Sequence, residues 1–340
     1  MTNAKYLVVQ TAFPGDSILT LPFIQELRRL DPEGQIDIVC SPVCQEIFEV
    51  SPSVSNVIPF DKRGEYKGFR GLAKFAARLK ETGYSAIYSL HRSFRTTILV
   101  TLAGGDESIG FNTASFSFLY DKKIPYVFSD HEVKRNLNMI MDYPGDKWKI
   151  YPELAVSEEQ RQKVMGFIEA TGSGKIILIS PGSVWETKRY PSKSYAEIAS
   201  GLSAAGYKII ISGSSSEKDT GEEIRRIAGD QIINSCGIFS MAETVELMSH
   251  SELVITNDSA PTHFAMAAGA PVLTIYCSTV PEFGFYGYSD KSHHLSSDVS
   301  CKPCGIHGHK KCPAGHFECG TKIKAYEVIR KVKEILDDRT

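Results

Sequence analysis

The sequence lacks any long hydrophobic run. Among its 340 residues, no apolar stretch approaches the roughly 18 residues that identify a membrane-spanning helix. The N-terminal segment has one lysine before the short run Leu7-Val-Val9 and no small-residue cleavage site, so it does not resemble a signal peptide. These absences predict a chain that stays in the cytoplasm.

An excess of charge of either sign is also missing. The chain carries 38 Lys and Arg against 40 Asp and Glu, which gives a formal net charge of -2. Proteins whose main partner is nucleic acid usually show a strong basic excess. The composition therefore predicts no nucleic-acid partner, although it leaves room for a local basic patch.

Two common nucleotide-binding signatures are absent. The turn after the first predicted strand, Tyr6–Gln10, contains no G-x-G-x-x-G, which argues against a hydride-transfer enzyme with a nicotinamide cofactor. The polar turn that starts at Ser180 lacks the P-loop pattern G-x-x-x-x-G-K-[ST]. Any nucleotide must therefore be bound by loops of another design.

What the sequence does contain is a regular alternation of short apolar runs with longer helical patterns. Such alternation is typical of βαβ units and parallel sheets. Strands are predicted at Tyr6–Gln10, Ile36–Cys40, Val57–Phe60, Ala86–Leu90, Ile176–Ser180, Lys208–Ser212, Gln231–Ile233, Leu253–Thr256 and Val272–Tyr276.

The alternation is interrupted between about 113 and 152 and then restarts, which divides the chain into two α/β domains. We predict a first domain at 1–155, a second at 156–320 and a last amphipathic helix within 321–340. Ligands of such sheets bind beyond the carboxyl ends of the strands. The expected site is therefore the cleft between two facing Rossmann-like domains.

Two loops of the first half carry candidate functional groups. Asp16 follows the first strand where a helix begins, and it is either the helix N-cap or a general base. His91, Arg92 and Arg95 follow the strand that ends at Leu90. They form either a solvated charged turn or an anion site, because arginine offers a bidentate fork to phosphate and carboxylate.

Two loops of the second half contain polar groups suited to a diphosphate. Ser183, Thr187 and Lys188 follow the strand that ends at Ser180, in what is either an ordinary polar loop or a donor site. The other loop follows the strand that ends at Thr256, and it contains Asp258, Ser259, Thr262 and His263. This loop opens an alanine-rich helix, whose N-terminus can bind phosphate; the alternative is a plain capped helix.

The C-terminal region is rich in cysteine. Cys301-Lys-Pro-Cys304 is followed by Cys312 and Cys319, a spacing compatible with a structural metal site of four thiolates holding zinc or iron. The alternatives are reduced buried thiols or an oxidised artefact. Structural disulfides are disfavoured in the reducing cytosol.

Taken together, these loops resemble glycosyltransferase family 9, the heptosyltransferases. The resemblance rests on Gly15-Asp-Ser17, on the Ser180–Pro191 loop and above all on the D-[ST]-x-x-x-H pattern from Asp258 to His263. Cys312-Pro-Ala-Gly-His316 is similar to the second heptosyltransferases of the core pathway. Arg95 and Ala260-Pro261 depart from the family's usual residues.

The resemblance implies a GT-B fold whose last helix packs back on the first domain, and an inverting, metal-independent transfer from ADP-heptose to the lipopolysaccharide core. Asp16 matches the catalytic base, and the loop from His91 to Arg95 matches one that faces the acceptor. Ser183 lies in the matching loop, and seven residues match donor ligands: Thr187, Lys188, Glu217, Asp258, Ser259, Thr262 and His263. The lipid-linked acceptor implies peripheral contact with the inner membrane.

Three alternatives remain open from the sequence. The chain could use another nucleotide-diphosphate sugar, or it could be a nucleotide-sugar epimerase of the same fold, which needs no acceptor. It could also be a binding module without catalysis, although a pure binder needs no carboxylate such as Asp16 facing a bound anion.

Overall fold

The computed structural model describes residues 4–338 and divides into two compact units, one ending at Ala155 and one beginning at Val156. Each unit contains its own six-stranded sheet. No helix within residues 4–338 is both long enough and apolar enough to cross a membrane.

The first unit is built on a parallel sheet whose strands follow the order β3-β2-β1-β4-β5-β6. Its strands are β1 (Lys5–Gln10), β2 (Gln35–Cys40), β3 (Asn56–Pro59), β4 (Ala86–Ser89), β5 (Glu107–Phe111) and β6 (Lys122–Ile124). Its helices are α1 (Pro14–Leu30), α2 (Gln45–Glu49), α3 (Gly68–Lys80), α4 (Phe94–Ala103) and α5 (Glu132–Leu137). Leu7, Val9 and Ile87 of the central strands pack in one buried cluster with Phe75 of α3 and Leu99 of α4.

The second unit repeats the same strand order, β12-β11-β10-β7-β8-β9, and all its pairs are parallel. Its strands are β7 (Ile176–Ser180), β8 (Lys208–Ile211), β9 (Ile233–Asn234), β10 (Leu253–Asn257), β11 (Val272–Tyr276) and β12 (Ser292–Ser296). Its helices are α6 (Glu158–Ala170), α7 (Ser192–Ala204), α8 (Lys218–Ala228), α9 (Met241–Ser249), α10 (Ala260–Ala267), α11 (Glu318–Thr321) and α12 (Ala325–Asp337).

The last helix, α12, belongs to the core of the second unit. Val328, Val332 and Ile335 on its buried face lie in one cluster with Ile198 and Leu202 of α7. The predicted contact of this helix with the first domain stays a prediction.

In each unit the strand order reverses its direction between two central strands. The reversal lies between β1 and β4 in the first unit and between β7 and β10 in the second. At such a point the connections leave the sheet on opposite faces, which opens a crevice at the carboxyl ends of the two strands. The four loops singled out by the sequence are those that follow β1, β4, β7 and β10.

Candidate active site

Asp16 lies in the first turn of α1, and it is not the N-cap residue. The helix begins at Pro14 with Phe13 as its N-cap, and the Oδ2 atom of Asp16 accepts a hydrogen bond of 3.2 Å from the Phe13 backbone N–H. The interpretation of Asp16 as N-cap is therefore wrong by three positions, because a proline fits the first helical position. The carboxylate still satisfies a free N–H at the positive end of the helix dipole.

His91 connects the two central loops of the first unit. Its Nδ1 atom lies 2.9 Å from Thr11 Oγ1, just after β1, and 3.1 Å from Thr96 Oγ1 of α4. Burial, together with the charges of Lys62 and Arg92, lowers the pKa of His91 to about 4. His91 is therefore neutral at physiological pH. Through its Nδ1 atom it connects the loop after β1 with the start of α4.

The two arginines of this loop are held in different ways. The Arg92 guanidinium stacks 3.7 Å from the centre of the Tyr126 ring, and its Nη1 donates to Thr113 Oγ1 at 3.3 Å. Arg95 Nη1 donates to the Lys62 carbonyl at 3.4 Å. Burial and the neighbouring Arg63 and Arg95 lower the pKa of Lys62, which marks this corner as strongly positive. The predicted anion site therefore keeps a positive environment.

In the second unit, Asn257 ties the loop after β7 to the end of β10. This fully buried amide accepts hydrogen bonds from the Tyr190 N–H at 3.0 Å and the Tyr195 hydroxyl at 2.9 Å. Its Nδ2 atom donates to the carbonyls of Pro181 at 2.7 Å and Gly182 at 3.2 Å. All four interactions require an amide, so Asn257 fixes the relative position of the two predicted donor loops.

Lys188 and Asp258 face each other across these loops. The Lys188 ammonium lies 2.7 Å from Asp258 Oδ2, and the same oxygen accepts a hydrogen bond of 2.6 Å from the Thr279 hydroxyl. Both charged side chains are largely buried. A diphosphate brought to Lys188 would therefore compete with Asp258 for the same cation.

Helix α10 begins at Ala260, with Ser259 as its N-cap. The polar side chains at this end differ in whether they are already hydrogen-bonded within the protein. The Ser259 hydroxyl donates to the Gly182 carbonyl at 3.1 Å, and the Thr262 hydroxyl bonds to Asn257 O at 3.3 Å and lies 3.0 Å from Thr274 Oγ1. These two hydroxyls are used within the protein.

His263, one residue further along α10, is different. Its ring is 5% exposed, and its Nδ1 atom has no hydrogen-bond partner within residues 4–338. Burial, with a contribution from the Lys188 charge, lowers the pKa of His263 to about 3. The imidazole is therefore neutral, and its Nδ1 atom is a buried polar atom without a hydrogen-bond partner among the described residues.

The cysteine-rich segment lies against the donor loop. Thr187 donates its backbone N–H to the His309 carbonyl at 3.1 Å, and the His309 N–H donates to Thr187 Oγ1 at 2.8 Å. A Cβ atom on Gly308 would come within 2.9 Å of Thr187 Oγ1 and 3.1 Å of Ser278 Oγ. Gly308, at φ 74°, is thus a position where only glycine allows the approach. The hydroxyl of Thr187, predicted as a phosphate ligand, is engaged by this segment.

Two further predicted donor residues lie at the same loop. Ser183 Oγ accepts a hydrogen bond of 3.3 Å from the Trp185 N–H. The Glu217 carboxylate accepts from the Ser214 N–H at 2.7 Å, and it lies against two glycines. A Cβ atom would be 1.2 Å from Glu217 Oε1 on Gly182 and 2.8 Å from Glu217 Oε2 on Gly213. The two glycines form a notch that brings Glu217 to the donor loop.

Because Glu217 lies against Gly182, a substitution at this glycine tests whether Glu217 binds the ribose, as predicted. In the variant Gly182→Ala, the new methyl group must displace the Glu217 carboxylate, while the flexible side chain lets the fold persist. We expect ADP affinity to fall about 10- to 100-fold, the usual value of a hydrogen bond to a charged group. Calorimetric titration with ADP measures the effect.

Two controls accompany this measurement. Gly166→Ala lies in the exposed part of α6 with no atom close to its new methyl, so it should leave ADP affinity unchanged. The double variant Gly182→Ala/Glu217→Ala should bind ADP as weakly as Glu217→Ala alone. If Gly182→Ala binds ADP with unchanged affinity, Glu217 does not contact the nucleotide.

The structure does not show the predicted metal site at Cys301, Cys304, Cys312 and Cys319. Within residues 4–338, no three Cys, His, Asp or Glu side chains are grouped so that they could hold a metal ion. Cys319 is buried in the core of the second unit, whereas Cys301 is exposed and its Sγ lies 3.9 Å from His316 Nε2. Burial raises the pKa of the Cys319 thiol, and the charges of Cys304, Cys312 and Cys301 raise it further.

Several residues of this site were not predicted from the sequence. Asn257 is one of them, and its signal in the sequence is an amide directly after the predicted strand Leu253–Thr256. Ser278 and Thr279 gave no separate signal, because their roles depend on contacts with residues elsewhere in the chain. His309 was a spare candidate for the metal site, whereas the structure shows its backbone bonded to Thr187.

Comparison with known proteins gives a consistent result. Residues 72–316 match the family described as glycosyltransferase family 9 (heptosyltransferase). The chain is 23% identical over 296 residues to lipopolysaccharide heptosyltransferase 2 of Escherichia coli strain K12, covering 82% of this chain and 84% of that protein. It is 26% identical over 322 residues to lipopolysaccharide heptosyltransferase 1 of Pseudomonas aeruginosa, covering 88% and 86%.

Solved structures show the same fold. The structure of the E. coli ADP-heptose lipopolysaccharide heptosyltransferase II superposes with a TM-score of 0.80 at 21% identity, covering 98% of this chain and 99% of that one. A glycosyl transferase of family 9 from Veillonella parvula gives a TM-score of 0.87 at 22% identity, covering 99% of each chain. The predicted α/β fold class of GT-B type is thereby confirmed.

Proposed function

The chain belongs to glycosyltransferase family 9, and on that premise we propose that it transfers a heptosyl residue from ADP-heptose to the inner core of lipopolysaccharide. The observation that carries the proposal is the pairing of Lys188 and Asp258 beside the N-terminus of α10. A cation and a helix N-terminus suit a diphosphate, and a carboxylate suits sugar hydroxyls. A nucleotide-diphosphate sugar needs both.

The reaction follows from the chemistry of the two substrates. An acceptor hydroxyl oxygen attacks the anomeric carbon, the bond from that carbon to the diphosphate oxygen breaks, and ADP leaves with the electron pair. Asp16 removes the hydroxyl proton as the attack proceeds. A single displacement inverts the configuration at the anomeric carbon.

The departing diphosphate develops negative charge, which the second unit is equipped to stabilise. Lys188 supplies a cation, and the N-terminus of α10 supplies free N–H groups and the positive end of a dipole. Neutral His263 can donate a hydrogen bond without the cost of an additional buried charge. Asp258, once the diphosphate has taken Lys188, is left to accept hydrogen bonds from the sugar. We propose that these groups serve without a catalytic metal ion.

The nucleotide part of the proposal is tested by binding. We expect Lys188→Ala to weaken ADP binding about 10- to 100-fold, because a charge-assisted contact is lost and Asp258 is left as an unpaired anion beside the diphosphate. Calorimetric titration with ADP, UDP and GDP gives the affinity and the base preference in one series.

The matched control is Lys193→Ala, which removes an exposed cation from the start of α7. The double variant Lys188→Ala/Asp258→Asn should recover part of the lost affinity, since it removes the unpaired anion. Tighter binding of UDP or GDP would reassign the donor sugar, and equal ADP binding by Lys188→Ala would remove Lys188 from the phosphate site.

The transfer itself is tested with ADP-heptose and a lipopolysaccharide core acceptor lacking its terminal heptose. Product formation that requires the acceptor supports the transferase. Conversion of the sugar nucleotide without an acceptor would identify an epimerase instead. A structural zinc or iron at the four cysteines stays a prediction, which metal analysis of the purified protein decides.

A further inference from the structure

The exposed phenylalanines of this protein are concentrated at one edge of one sheet. Within residues 4–338, every phenylalanine that is more than 40% exposed belongs to the first unit. These residues follow the carboxyl ends of β1, β3, β4, β5 and β6: Phe13, Phe69, Phe94, Phe116, Phe118 and Phe128. Because the carboxyl ends of parallel strands share one edge, the six rings line the same edge of the sheet.

Three of the rings form a continuous exposed cluster. The ring centres of Phe94 and Phe116 are 5.0 Å apart, and those of Phe116 and Phe118 are 5.6 Å apart. Phe118 is nevertheless 70% exposed and the other two are about half exposed. Contiguous apolar surface of this kind marks a contact with a partner or a membrane.

The backbone conformation of Phe116 also indicates a functional surface. This residue has a φ of 60°, a left-handed conformation that a bulky side chain rarely adopts. The ring gains little burial in return, since it is about half exposed. Strain that local packing does not explain is typical of functional surfaces.

The neighbouring segment is strongly basic. Residues 61–80 contain seven Lys and Arg against two carboxylates, a net charge of +5 in a chain whose total is -2. Both carboxylates are engaged locally: Asp61 accepts from the N–H groups of Arg63 and Gly64, and Glu65 lies 3.8 Å from Lys74. Phe69 lies in the first turn of α3 within this segment and is 67% exposed.

We propose that this edge of the first unit docks on an anionic lipid bilayer. The docking surface consists of the exposed rings of Phe69, Phe94, Phe116 and Phe118 together with Lys67, Arg70 and Lys74. Phenylalanine enters the boundary between headgroups and acyl chains, and each Lys or Arg near an anionic surface adds attraction. Apolar rings beside a cluster of cations are the combination by which peripheral segments bind anionic lipid surfaces.

The proposal goes beyond sugar transfer and does not depend on which sugar is moved. It assigns to named residues a surface that brings the loop from His91 to Arg95, which contains Phe94, to the membrane. A lipid-linked acceptor would then be met where it resides.

The experiment measures flotation of the full-length protein with vesicles in the absence of donor and acceptor. Mixed phosphatidylethanolamine and phosphatidylglycerol vesicles should bind it, and pure phosphatidylcholine vesicles should not. Raising the salt from about 0.1 M to about 1 M, which shortens the Debye length from about 10 Å to about 3 Å, should release it. We expect Phe116→Ser/Phe118→Ser to lower the partition coefficient about tenfold or more. Arg70→Gln/Lys74→Gln should lower it about thirtyfold.

The controls come from α12 in the second unit, where Tyr326 is 68% exposed and Arg330 and Lys333 are exposed cations. Tyr326→Ser and Arg330→Gln/Lys333→Gln should bind vesicles like the unaltered protein. The proposal would be overturned if the docking-surface variants bound vesicles as well as the unaltered protein does. It would also be overturned if the protein bound no anionic vesicles, or bound heparin but no vesicles. Concentration-dependent self-association that Phe118→Ser abolishes would also overturn it, by assigning the surface to a second copy of the chain.

Transfer to a water-soluble acceptor without acyl chains separates this proposal from the proposed function. Retained transfer with failed vesicle binding refutes the docking surface alone. Vesicle binding without any transfer refutes the sugar chemistry alone.

Discussion

Asp16→Asn should lower kcat for sugar transfer by about 10²–10⁴-fold, the usual contribution of a general base. This substitution should remove the charge of Asp16 without disturbing the local structure. The Asp16 side chain accepts a hydrogen bond from the Phe13 N–H, and the amide oxygen of asparagine can accept the same bond. Helix α1 should therefore keep its first turn, while the carboxylate proposed as the base is replaced by an amide.

The measurement is a single-turnover assay with ADP-heptose, together with an ADP titration of the same preparation. ADP affinity and the melting temperature should be unchanged, because the residues proposed to bind the donor lie in the second unit. Asp16→Glu keeps a carboxylate and should retain more activity than Asp16→Asn. Transfer by Asp16→Asn at the unaltered rate would rule out the base role.

Asn257→Ala should destabilise the second unit by about 3–5 kcal/mol. The substitution removes four buried hydrogen bonds and leaves the Tyr195 hydroxyl and two carbonyls without their amide partner. Each lost bond costs about 1 kcal/mol, and buried groups left unsatisfied add to that. The loss is a large share of the stability of a typical domain, about 5–15 kcal/mol. ADP binding should fall with it, since the two donor loops lose their common fixed point.

The chain provides its own reporter for this experiment. It contains two tryptophans, Trp148 in the first unit and Trp185 in the donor loop of the second. In a Trp148→Phe background, urea unfolding followed by fluorescence reports the second unit alone. Tyr195→Phe, which removes one of the four bonds, should cost about 1 kcal/mol. An Asn257→Ala loss no larger than that of Tyr195→Phe would show that the amide does not hold the loops.

Much of the fold could be predicted because the central strands are buried on both faces. Such strands appear as continuous apolar runs, as in Ile176–Ser180, and they need no periodic pattern. The strands β5, β6 and β12 were missed. Lys122–Ile124 and Ser292–Ser296 are partly exposed and mostly polar, and the apolar run of Glu107–Phe111 is interrupted by Gly110. Helix α4 was missed because Phe94–Ala103 is apolar on most sides, so that its pattern does not indicate a helix.

The sequence could predict which loops contain the candidate site. It could not predict which polar atoms in those loops are free of hydrogen bonds within the protein. The sequence placed Thr187 correctly in the loop after β7 and Thr262 correctly at the start of the helix after β10. It could not predict that both hydroxyls are already bonded within the protein, because their partners lie elsewhere in the chain. Asp16 illustrates the same limit, since the residue that begins α1 is decided by Pro14 rather than by the best capping side chain.

The contact between Thr187 and His309 also has a consequence for synthesis of the chain. The two residues are 122 positions apart, so at a translation rate of 5–20 residues per second the donor loop leaves the ribosome roughly ten seconds before its partner. During that interval the loop has no Gly308 against it and Thr187 has no backbone partner from the later segment. The loop that contains Thr187 therefore reaches its final contacts only after residue 309 has been synthesised.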